Sequence, residues 1–274
     1  MGIVVAILAK QETPAAIELA TELAALIESS GQEVWFDPLT AVAIDRSPTP
    51  LDAFAAADLI VSIGGDGTFL FAASTAGSTP IVGVNLGEVG FLNAVDPADA
   101  VKTLQRLLED LHRGDPLPIR SLDRLAVTEA AVDPAVNEIV IQAPRRGAVD
   151  PLEVEIHVNG QRYLKTIADG VMVATSTGSS AYNLSEGGPL IHPALSGIVL
   201  TMMADRAHHP PIVLPAAVSV QFAIEGPSDA VVVSDGRTRA EVDVPQAMTV
   251  ARHGTSVSLV EPTQHYFEAL EKLA

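Results

Sequence analysis

The sequence contains no cysteine, few basic residues and no apolar run long enough to cross a bilayer. The absence of cysteine excludes disulfides, zinc–thiolate sites and thiol nucleophiles. A membrane-spanning helix needs about 20 consecutive apolar residues. The opening stretch MGIVVAILAK is too short and too strand-like for a signal peptide, and no cleavage-type small-residue site follows it. We therefore expect a soluble, cytoplasmic protein with no membrane partner.

The charge balance is strongly acidic, with 34 Asp and Glu against 16 Lys and Arg and a formal net charge of −18. This charge repels DNA, RNA and anionic membranes, so we expect no nucleic-acid partner. The acidic residues are spread along the chain, and the lysines are few: Lys10, Lys102, Lys165 and Lys272. Such a composition suits a salt-rich cytosol, where screening relieves self-repulsion, and it indicates a halophilic source. The alternative is an ordinary acidic protein.

The N-terminal part of the chain alternates between strand and helix patterns. Apolar runs predict buried strands at Ile3–Leu8, Val34–Phe36, Asp58–Ile63 and Ile81–Val84. Helical spacing predicts helices at Ala15–Ser29, Thr68–Thr75 and Ala98–His112. Thr13 followed by Pro14 is typical of a helix start, and Gly31 is typical of a helix end. The alternation predicts a Rossmann-like α/β domain over residues 1–116, with helices on both faces of a parallel sheet.

Beyond Asp115–Pro118 the pattern changes to short alternating runs separated by turn residues. Strands are predicted at Leu125–Glu129, Glu138–Gln142, Leu152–Val158, Val171–Ala174, Ile198–Met203, Ser219–Ile224 and Ala230–Ser234. Asn159-Gly160 predicts a hairpin. We expect residues 117–260 to form a β-rich, β-sandwich-like domain. Residues 261–274 return to a helical pattern at Gln264–Leu273, and we expect this helix to pack back on the N-terminal domain.

The turn Gly64-Gly65-Asp66-Gly67-Thr68 directly follows an apolar strand and opens a helix. Glycines at such a junction let backbone N–H groups approach a polyphosphate, and a helix N-terminus favours its negative charge. An aspartate inside a phosphate cradle makes sense as a base for an attacking hydroxyl, or as a partner of a metal ion. The alternative is a tight turn in which Asp66 only caps the helix. The turn is neither a GxGxxG fingerprint nor a Walker A loop, since it lacks the Walker lysine.

Three further stretches stand at the ends of predicted strands. The loop 83–92, GVNLGEVGFL, lies where ligands of open α/β sheets bind, although its glycines alternatively serve backbone shape alone. Asn137-Glu138 offers groups that bind ribose hydroxyls or an adenine amine, but the pair by itself favours a solvated strand end. Asp169-Gly170 precedes another apolar run and by itself indicates a simple turn.

A run of hydroxyl-bearing and small residues, TSTGSSAYN, occupies positions 175–183. Its hydroxyl groups are able to hydrogen-bond the edge of a flat base, while Tyr182 packs on the face of that base. The alternative is a Ser/Thr-rich loop with helix caps. Because the run follows an apolar strand directly and carries no charge, we favour a ligand-facing loop.

Together, in this order, these stretches resemble the NAD kinase family, whose members use ATP or polyphosphate. The turn GGDGTFL is shared more widely with diacylglycerol-type lipid kinases, whereas VNLGEVGFL, VNEIVI, ADG and TSTGSSAYNLSEGGPLIHP make the likeness specific. The likeness runs from about Val4 to the closing YFEALEKL and is typical of a haloarchaeal member. It implies phosphorylation of the 2′-hydroxyl of the NAD adenosine ribose to give NADP. It also implies an NAD cleft between the two domains and a homodimer or homotetramer.

The resemblance also implies roles for particular residues. Asp66 would be the catalytic base and would touch NAD together with Gly67. The donor phosphates would lie against Gly64, Gly65, Gly67 and Thr68. Asn137 and Glu138 would hold the adenosine portion of NAD, and Asp169 would meet the nicotinamide end. The wall of the nucleotide site would contain Thr177, Gly178, Ser179, Ala181 and Tyr182. A divalent cation, Mg²⁺, would be required, but no residue is assigned to it as a ligand.

The chain departs from the family pattern on the donor side and in part of the NAD pocket. Phe71 and Ser74 stand where basic residues are common, and Glu88 stands where a non-acidic residue is common. Ser176 replaces a proline, and the segment 204–211, ADRAHHPP, is altered and shorter. These departures suggest an alternative, a weakened paralogue that senses NAD or NADP, although such a protein would not need Asp66. A diacylglycerol-type lipid kinase is a further alternative, which the acidic charge disfavours.

Overall fold

The computed structural model of the protein describes residues 2–87, 90–145, 150–261 and 266–271. The chain divides into two compact units, the first made of Met1–Leu122 and Val257–Ala274 and the second of Asp123–Ser256. Within the described ranges, we find no helix that is both long and apolar enough to cross a membrane.

The first unit begins with alternating strands and helices. These are β1 (Val4–Ala9), α1 (Pro14–Ser29), β2 (Glu33–Phe36), α2 (Pro38–Ala43), β3 (Leu59–Gly64), α3 (Asp66–Thr75), β4 (Ile81–Asn85), α4 (Ala100–Arg113) and β5 (Ile119–Leu122).

The second unit is built almost entirely from strands. These elements are β6 (Leu125–Val127), β7 (Glu138–Gln142), β8 (Leu152–Val158), β9 (Gln161–Ala168), β10 (Gly170–Thr175), α5 (Tyr182–Ser185), β11 (Gly197–Met203), β12 (Ile212–Pro215), β13 (Val220–Glu225), β14 (Ala230–Ser234), β15 (Thr238–Val242) and β16 (Gln246–Arg252). The chain then returns to the first unit with β17 (Val257–Val260) and α6 (Tyr266–Glu271).

The sheet of the first unit has the strand order β2-β1-β3-β4-β17-β5. Its strands are parallel except β5, which is antiparallel to β17. On one face, Leu23 of α1 and Leu107 of α4 pack in a single core cluster with Ile7 and Val61 of the sheet. Leu8, which points to the other face, is buried as well. Burial on both faces explains why these strands read as continuous apolar runs.

The second unit is a β-sandwich of two antiparallel sheets, ordered β12-β11-β10-β7-β14-β15 and β6-β16-β13-β8-β9. One core cluster takes side chains from both sheets, for example Ile139 and Val173 from the first and Ile156 and Phe222 from the second. The outer face of the first sheet carries a smaller cluster that includes Met172 and is packed by Tyr182. The predicted fold class, an α/β region followed by a β-sandwich-like region, is confirmed.

Individual elements agree unevenly with the predictions. Strands β7, β8 and β14 have the predicted bounds, and the Asn159-Gly160 hairpin is present with φ angles of 49° and 78°. Thr13 precedes α1 but does not cap it, because its hydroxyl donates to the Gln11 carbonyl at 3.3 Å instead. Helix α2 and strands β5, β12, β15, β16 and β17 were not predicted. The predicted helix at Gln264–Leu273 is described only over Tyr266–Glu271.

Candidate functional site

Asp66 is the first residue of α3 and lies just beyond the carboxyl end of β3. Its carboxylate accepts hydrogen bonds from three successive backbone N–H groups. The N–H of Phe91 donates to Oδ2 at 3.1 Å, and the N–H groups of Leu92 and Asn93 donate to Oδ1 at 3.1 and 3.2 Å. An ionised carboxylate has about four acceptor positions. Three are therefore used, and one on Oδ2 is left.

Burial raises the pKa of Asp66 above its ordinary value, and the three N–H bonds, led by that from Asn93, oppose this rise. Burial disfavours the charged form of a carboxyl, whereas hydrogen bonds to the carboxylate favour it. Because burial prevails, the Asp66 carboxylate is a stronger proton acceptor than an exposed aspartate. Its position is at the same time fixed by the backbone that surrounds it.

The glycines of the turn differ in what surrounds them. A Cβ on Gly64 would lie 2.4 Å from the Thr68 hydroxyl oxygen, so this glycine is required by the packing of the turn itself. A Cβ on Gly65 or on Gly67 would meet no atom of the described residues within 4 Å. Packing within the protein therefore does not demand glycine at these two positions, and the space beside them is open to a ligand.

The loop after β4 wraps around Asn93, which sequence reasoning missed. Asn93 is fully buried and its side-chain amide donates to the Gly65 carbonyl at 2.7 Å. A Cβ on Gly83 would lie 2.0 Å from the Asn93 amide oxygen, and one on Gly90 would lie 2.2 Å from the Asn93 carbonyl. These two glycines of the predicted loop therefore serve close packing against Asn93. Glu88 lies outside the described residues.

Asn137 and Glu138 lie at the start of β7 in the second unit, and both are buried, with exposures of 9% and 5%. The expectation that the pair alone marks a solvated strand end is therefore wrong. Burial, with a smaller contribution from the charge of Asp235, raises the pKa of Glu138 to about 8. Its Oε2 atom is buried and has no hydrogen-bond partner among the residues that the structure describes. A protonated Glu138 is able both to donate and to accept a hydrogen bond.

The Ser/Thr-rich loop begins beside this pair. The Thr175 hydroxyl donates to the Val136 carbonyl at 2.6 Å and accepts from the Gly178 N–H at 3.0 Å. A Cβ on Gly178 would lie 2.1 Å from the Asn137 carbonyl oxygen, so only glycine allows this close approach. The structure thus brings Gly178 directly against Asn137.

The remaining loop residues fall into two groups. Ser179 is fully buried, and its hydroxyl donates to the Ser176 carbonyl at 2.7 Å and accepts from the Ile191 N–H at 2.9 Å. Thr177, Ala181 and Tyr182 are only half-buried. The first group fixes the shape of the loop, while the second is accessible to a ligand. Asn183, the last residue of the run, is buried and donates from its amide to the Ser179 carbonyl at 3.1 Å.

Asp169 lies at the opposite end of the paired strands β7 and β10 from Asn137 and Glu138. Its carbonyl accepts from the Ala143 N–H at 2.9 Å, and Gly170 faces Gln142 in the ladder, whereas Glu138 faces Ala174. Glu138 and Gln142 are four positions apart on β7, about 13 Å at the usual rise of a strand. The structure therefore does not bring Asp169 next to Asn137 and Glu138.

The altered segment 204–211 is organised around Asp205. The buried Asp205 carboxylate accepts from the Thr166 hydroxyl, from the His209 N–H at 2.7 Å and from the Ala207 N–H at 3.2 Å, and it pairs with His209 Nδ1 at 2.7 Å. Although burial opposes it, these bonds hold the pKa of Asp205 below its usual range. His208 is exposed, but His209 is half-buried. Over the described ranges, no group of three or more histidine or carboxylate side chains is arranged to hold a metal ion.

Two family models cover most of the chain. The one described as the ATP-NAD kinase N-terminal domain matches residues 5–112, and the one described as the ATP-NAD kinase C-terminal domain matches residues 136–261. The chain is 46% identical to the NAD kinase of Halorubrum lacusprofundi over 274 residues, covering 98% of this chain and 99% of the relative. It is 43% identical to the NAD kinase of Natronomonas pharaonis over 269 residues, covering 97% and 98%.

Two solved structures have a similar fold. The NAD kinase from Archaeoglobus fulgidus in complex with ATP matches with a TM-score of 0.80 and 22% identity, covering 100% of this chain and 98% of that chain. Yeast NADH kinase complexed with NADH matches with a TM-score of 0.87 and 24% identity, covering 99% and 87%. At these identities the likeness establishes the fold.

Proposed function

The chain belongs to the NAD kinase family and phosphorylates the 2′-hydroxyl of the adenosine ribose of NAD to make NADP, and we propose that Asp66 is the base in this reaction. The observation that carries the proposal is the carboxylate of Asp66, held by three backbone N–H groups with one acceptor position left. The comparisons give no support to a lipid kinase or to an NAD-binding sensor.

In the proposed reaction, the 2′-oxygen of NAD attacks the terminal phosphorus of the donor. A new oxygen–phosphorus bond forms, and the bond from that phosphorus to the bridging oxygen breaks, with its electron pair left on the departing ADP. The proton of the 2′-hydroxyl moves to Oδ2 of Asp66. Most of the catalysis in such transfers comes from positioning and from charge stabilisation. The raised pKa of Asp66 makes its carboxylate a better proton acceptor, and the three backbone N–H groups keep that carboxylate in place.

We propose that the donor phosphates lie against Gly64, Gly65, Gly67 and Thr68. The open space beside Gly65 and Gly67 supports this assignment, because a phosphate needs backbone N–H groups that no Cβ screens. The donor we propose is ATP, which the related Archaeoglobus fulgidus structure contains. Polyphosphate is the alternative donor, and an activity assay with each donor distinguishes the two.

We propose that Asn137 and Glu138 bind the adenosine part of NAD and that Asp169 contacts the nicotinamide end. The separation of about 13 Å along β7 suits two ends of an extended dinucleotide. The accessible residues Thr177, Ala181 and Tyr182 form the wall that touches the nucleotide. Gly178 and Ser179 keep that wall in place, since the first packs on Asn137 and the second is fully buried. Yeast NADH kinase, which has the same fold, was solved with NADH.

We propose that a divalent cation, Mg²⁺, is required. Mg²⁺ usually binds through one or two carboxylates together with substrate phosphates and waters, rather than in an all-protein cage. The described residues contain no such cage, and the acceptor position left on Asp66 Oδ2 is the one proposed for the 2′-hydroxyl, so we propose that the donor phosphates and waters hold the cation. When bound, the cation neutralises charge on those phosphates. This matters because Phe71 and Ser74 supply no positive charge on α3.

We propose that the protein is a homodimer or homotetramer in a salt-rich cytoplasm. Strand β12 is an edge strand, and Val213 on it and the nearby Leu195 are 51% and 62% exposed. Exposed apolar side chains beside an unpaired strand edge favour association with a second copy. Val213→Lys should therefore lower the mass measured by light scattering at high salt. An unchanged mass would exclude this edge as the contact.

The activity is tested with purified protein, NAD and Mg²⁺, and with either ATP or polyphosphate as donor. NADP is then measured through a dehydrogenase that accepts only NADP. We expect NADP to form with ATP and to be lost in Asp66→Ala. Turnover with polyphosphate but not with ATP would overturn the choice of donor, and full turnover in Asp66→Ala would overturn the role of Asp66.

A further inference from the structure

The hairpin turn between β14 and β15 contains Asp235 and Gly236, with φ angles of 50° and 64°. A positive φ is rare for a residue other than glycine, and aspartate is among the few that tolerate it. The Arg237 N–H closes the turn by donating to the Ser234 carbonyl at 2.8 Å. The turn thus holds the Asp235 side chain in one direction. The roles proposed above for NAD and the phosphate donor do not include the half-buried Asp235.

The Asp235 carboxylate accepts from three successive backbone N–H groups at the start of β7. The Val136 N–H donates to Oδ2 at 2.8 Å, and those of Asn137 and Glu138 donate to Oδ1 at 2.7 and 3.1 Å. The Asp235 N–H donates in return to the Glu138 carbonyl at 3.0 Å. Hydrogen bonds to an ionised acceptor are shorter and roughly twice as strong as neutral ones. The carboxylate is therefore committed to the backbone that carries the Asn137 and Glu138 side chains.

The same backbone is held from its other side by the loop after β10. The Thr175 N–H donates to the Asn137 carbonyl at 2.8 Å, and the Thr175 hydroxyl donates to the Val136 carbonyl at 2.6 Å. The N–H groups of all three residues thus face Asp235, while the carbonyls of Val136 and Asn137 face Thr175. Removing either partner would leave buried backbone groups without a hydrogen bond, which is costly.

The Glu138 side chain, in contrast, has no hydrogen-bond partner for Oε2 within the described part of the chain. A buried polar atom with no partner in the protein is an acceptor or donor available to a ligand. Its direction depends on the backbone that Asp235 fixes, because the side chain starts from one of the three anchored residues.

We propose that Asp235 is a positioning residue for NAD, which holds the Val136–Glu138 backbone so that Asn137 and Glu138 face the adenosine part of the substrate. The proposal rests on the adenosine-binding role proposed above for these two residues. Asp235 touches neither substrate nor donor in this account. Its loss should therefore weaken NAD binding and leave the chemical step and the binding of ATP largely intact.

The test is steady-state kinetics of Asp235→Asn, with NAD and ATP varied separately. Asparagine keeps the size of the side chain but replaces one acceptor oxygen with a donor that faces backbone N–H groups. We expect the KM for NAD to rise about tenfold or more, while kcat and the KM for ATP stay within about twofold. Asp243→Asn is the matched control, because Asp243 is exposed just beyond the far end of the same hairpin, and it should behave as wild type.

Asn137→Ala separates the two proposals. If Asn137→Ala raises the KM for NAD but Asp235→Asn does not, the positioning role is overturned and adenosine binding by Asn137 stands. If neither substitution changes it, the adenosine-binding role fails and the positioning role fails with it. A fall in kcat equal to the rise in KM, with a parallel rise in the KM for ATP, would mean general disruption and would also overturn the proposal.

Should Asp235→Asn fail to fold, hydrogen exchange of the wild-type protein without NAD provides the test. The amides of Val136, Asn137 and Glu138 should exchange slowly, because all three donate to Asp235. Fast exchange of these amides in the folded protein would overturn the proposal.

Discussion

Asn93 is bonded to the turn of Asp66 in two ways, since its backbone N–H donates to Asp66 Oδ1 at 3.2 Å and its side-chain amide donates to the Gly65 carbonyl at 2.7 Å. The loop after β4 and the turn after β3 are thereby joined around a fully buried side chain. The position of the proposed base depends on this connection, although Asn93 itself is too deeply buried to take part in the reaction.

Asn93→Ala should reduce both stability and turnover. The substitution removes the donor to the Gly65 carbonyl and leaves a cavity beside Gly83. The Gly65 carbonyl still accepts from the Thr68 N–H at 2.9 Å, so the loss is one hydrogen bond, about 1 kcal/mol, together with the cost of the cavity, and it should appear as a lower urea midpoint. Gln105→Ala, at an exposed position of α4, serves as the control. A stable Asn93→Ala variant with full activity would contradict the connection.

Glu138→Gln should change how stability depends on pH. The carboxyl of Glu138 titrates near pH 8 in the folded protein, against an ordinary value of 4.5. Between these values the folded protein binds the extra proton, so its contribution to stability is complete below pH 4.5 and is lost as the pH rises towards 8. One proton changes the unfolding free energy by up to about 1.4 kcal/mol per pH unit.

Glutamine cannot take up this proton, so the variant should gain stability relative to wild type at each step from pH 5 to pH 8. Urea denaturation at several pH values and constant salt gives the two curves. Glu241→Gln removes a carboxyl at an exposed position of β15 and is the control. Parallel curves for Glu138→Gln and wild type would contradict the raised pKa.

Gly67→Ala should separate the stability of the turn from its function. A Cβ at Gly67 meets no atom within 4 Å in the described ranges, and alanine is the better helix former by about 1 kcal/mol, so the melting temperature should not fall. The methyl group nevertheless enters the space proposed for the donor phosphates, so turnover should fall at least about tenfold with ATP. In Gly64→Ala the new Cβ would lie 2.4 Å from the Thr68 hydroxyl, so this variant should be less stable. Unchanged turnover of Gly67→Ala would argue against the donor site.

Salt should stabilise the protein. A net charge of −18 makes the folded chain repel itself, and molar salt shortens the screening length to about 3 Å. Relatives from Halorubrum lacusprofundi and Natronomonas pharaonis agree with a halophilic origin. The melting temperature should therefore rise between low and molar sodium chloride. A melting temperature that does not change over this range would contradict the halophilic interpretation.

The elements that the sequence predicted well are those whose burial is uniform. Strands β1 and β3 are buried on both faces, and their apolar runs indicate them directly. Strand β12 alternates between half-buried and exposed residues over only four positions, which is too short for a periodic pattern to stand out. Helix α2 spans only six residues, which is too short for the spacing of its apolar residues to indicate a helix. It begins instead at a cap formed by the Asp37 side chain.

The sequence predicted the parts of the candidate site that lie in short local motifs. It did not predict the parts whose structure depends on contacts between residues far apart in the chain. The Gly-Gly-Asp-Gly turn is recognisable because all of its members are adjacent. The burial of Glu138 was not predictable from adjacent residues, because its surroundings come from distant parts of the chain, such as Asp235, 97 residues further along, which accepts from its backbone N–H. The Asp235-Gly236 dipeptide after the predicted strand Ala230–Ser234 was the available signal, since Asp-Gly favours hairpin turns. That signal predicts a turn but not the three hydrogen bonds that the turn makes.

The most direct test of the central claim is the turnover of Asp66→Asn with saturating NAD, ATP and Mg²⁺. General-base catalysis contributes about 10²–10⁴-fold, so kcat should fall by that factor while the KM for NAD changes little. Asp58→Asn is the matched control, because the exposed Asp58 carboxylate also accepts from a backbone N–H, that of Val4 at 2.8 Å, and this variant should keep wild-type kcat. A folded Asp66→Asn protein with a kcat close to that of wild type would contradict the role of Asp66 as the base.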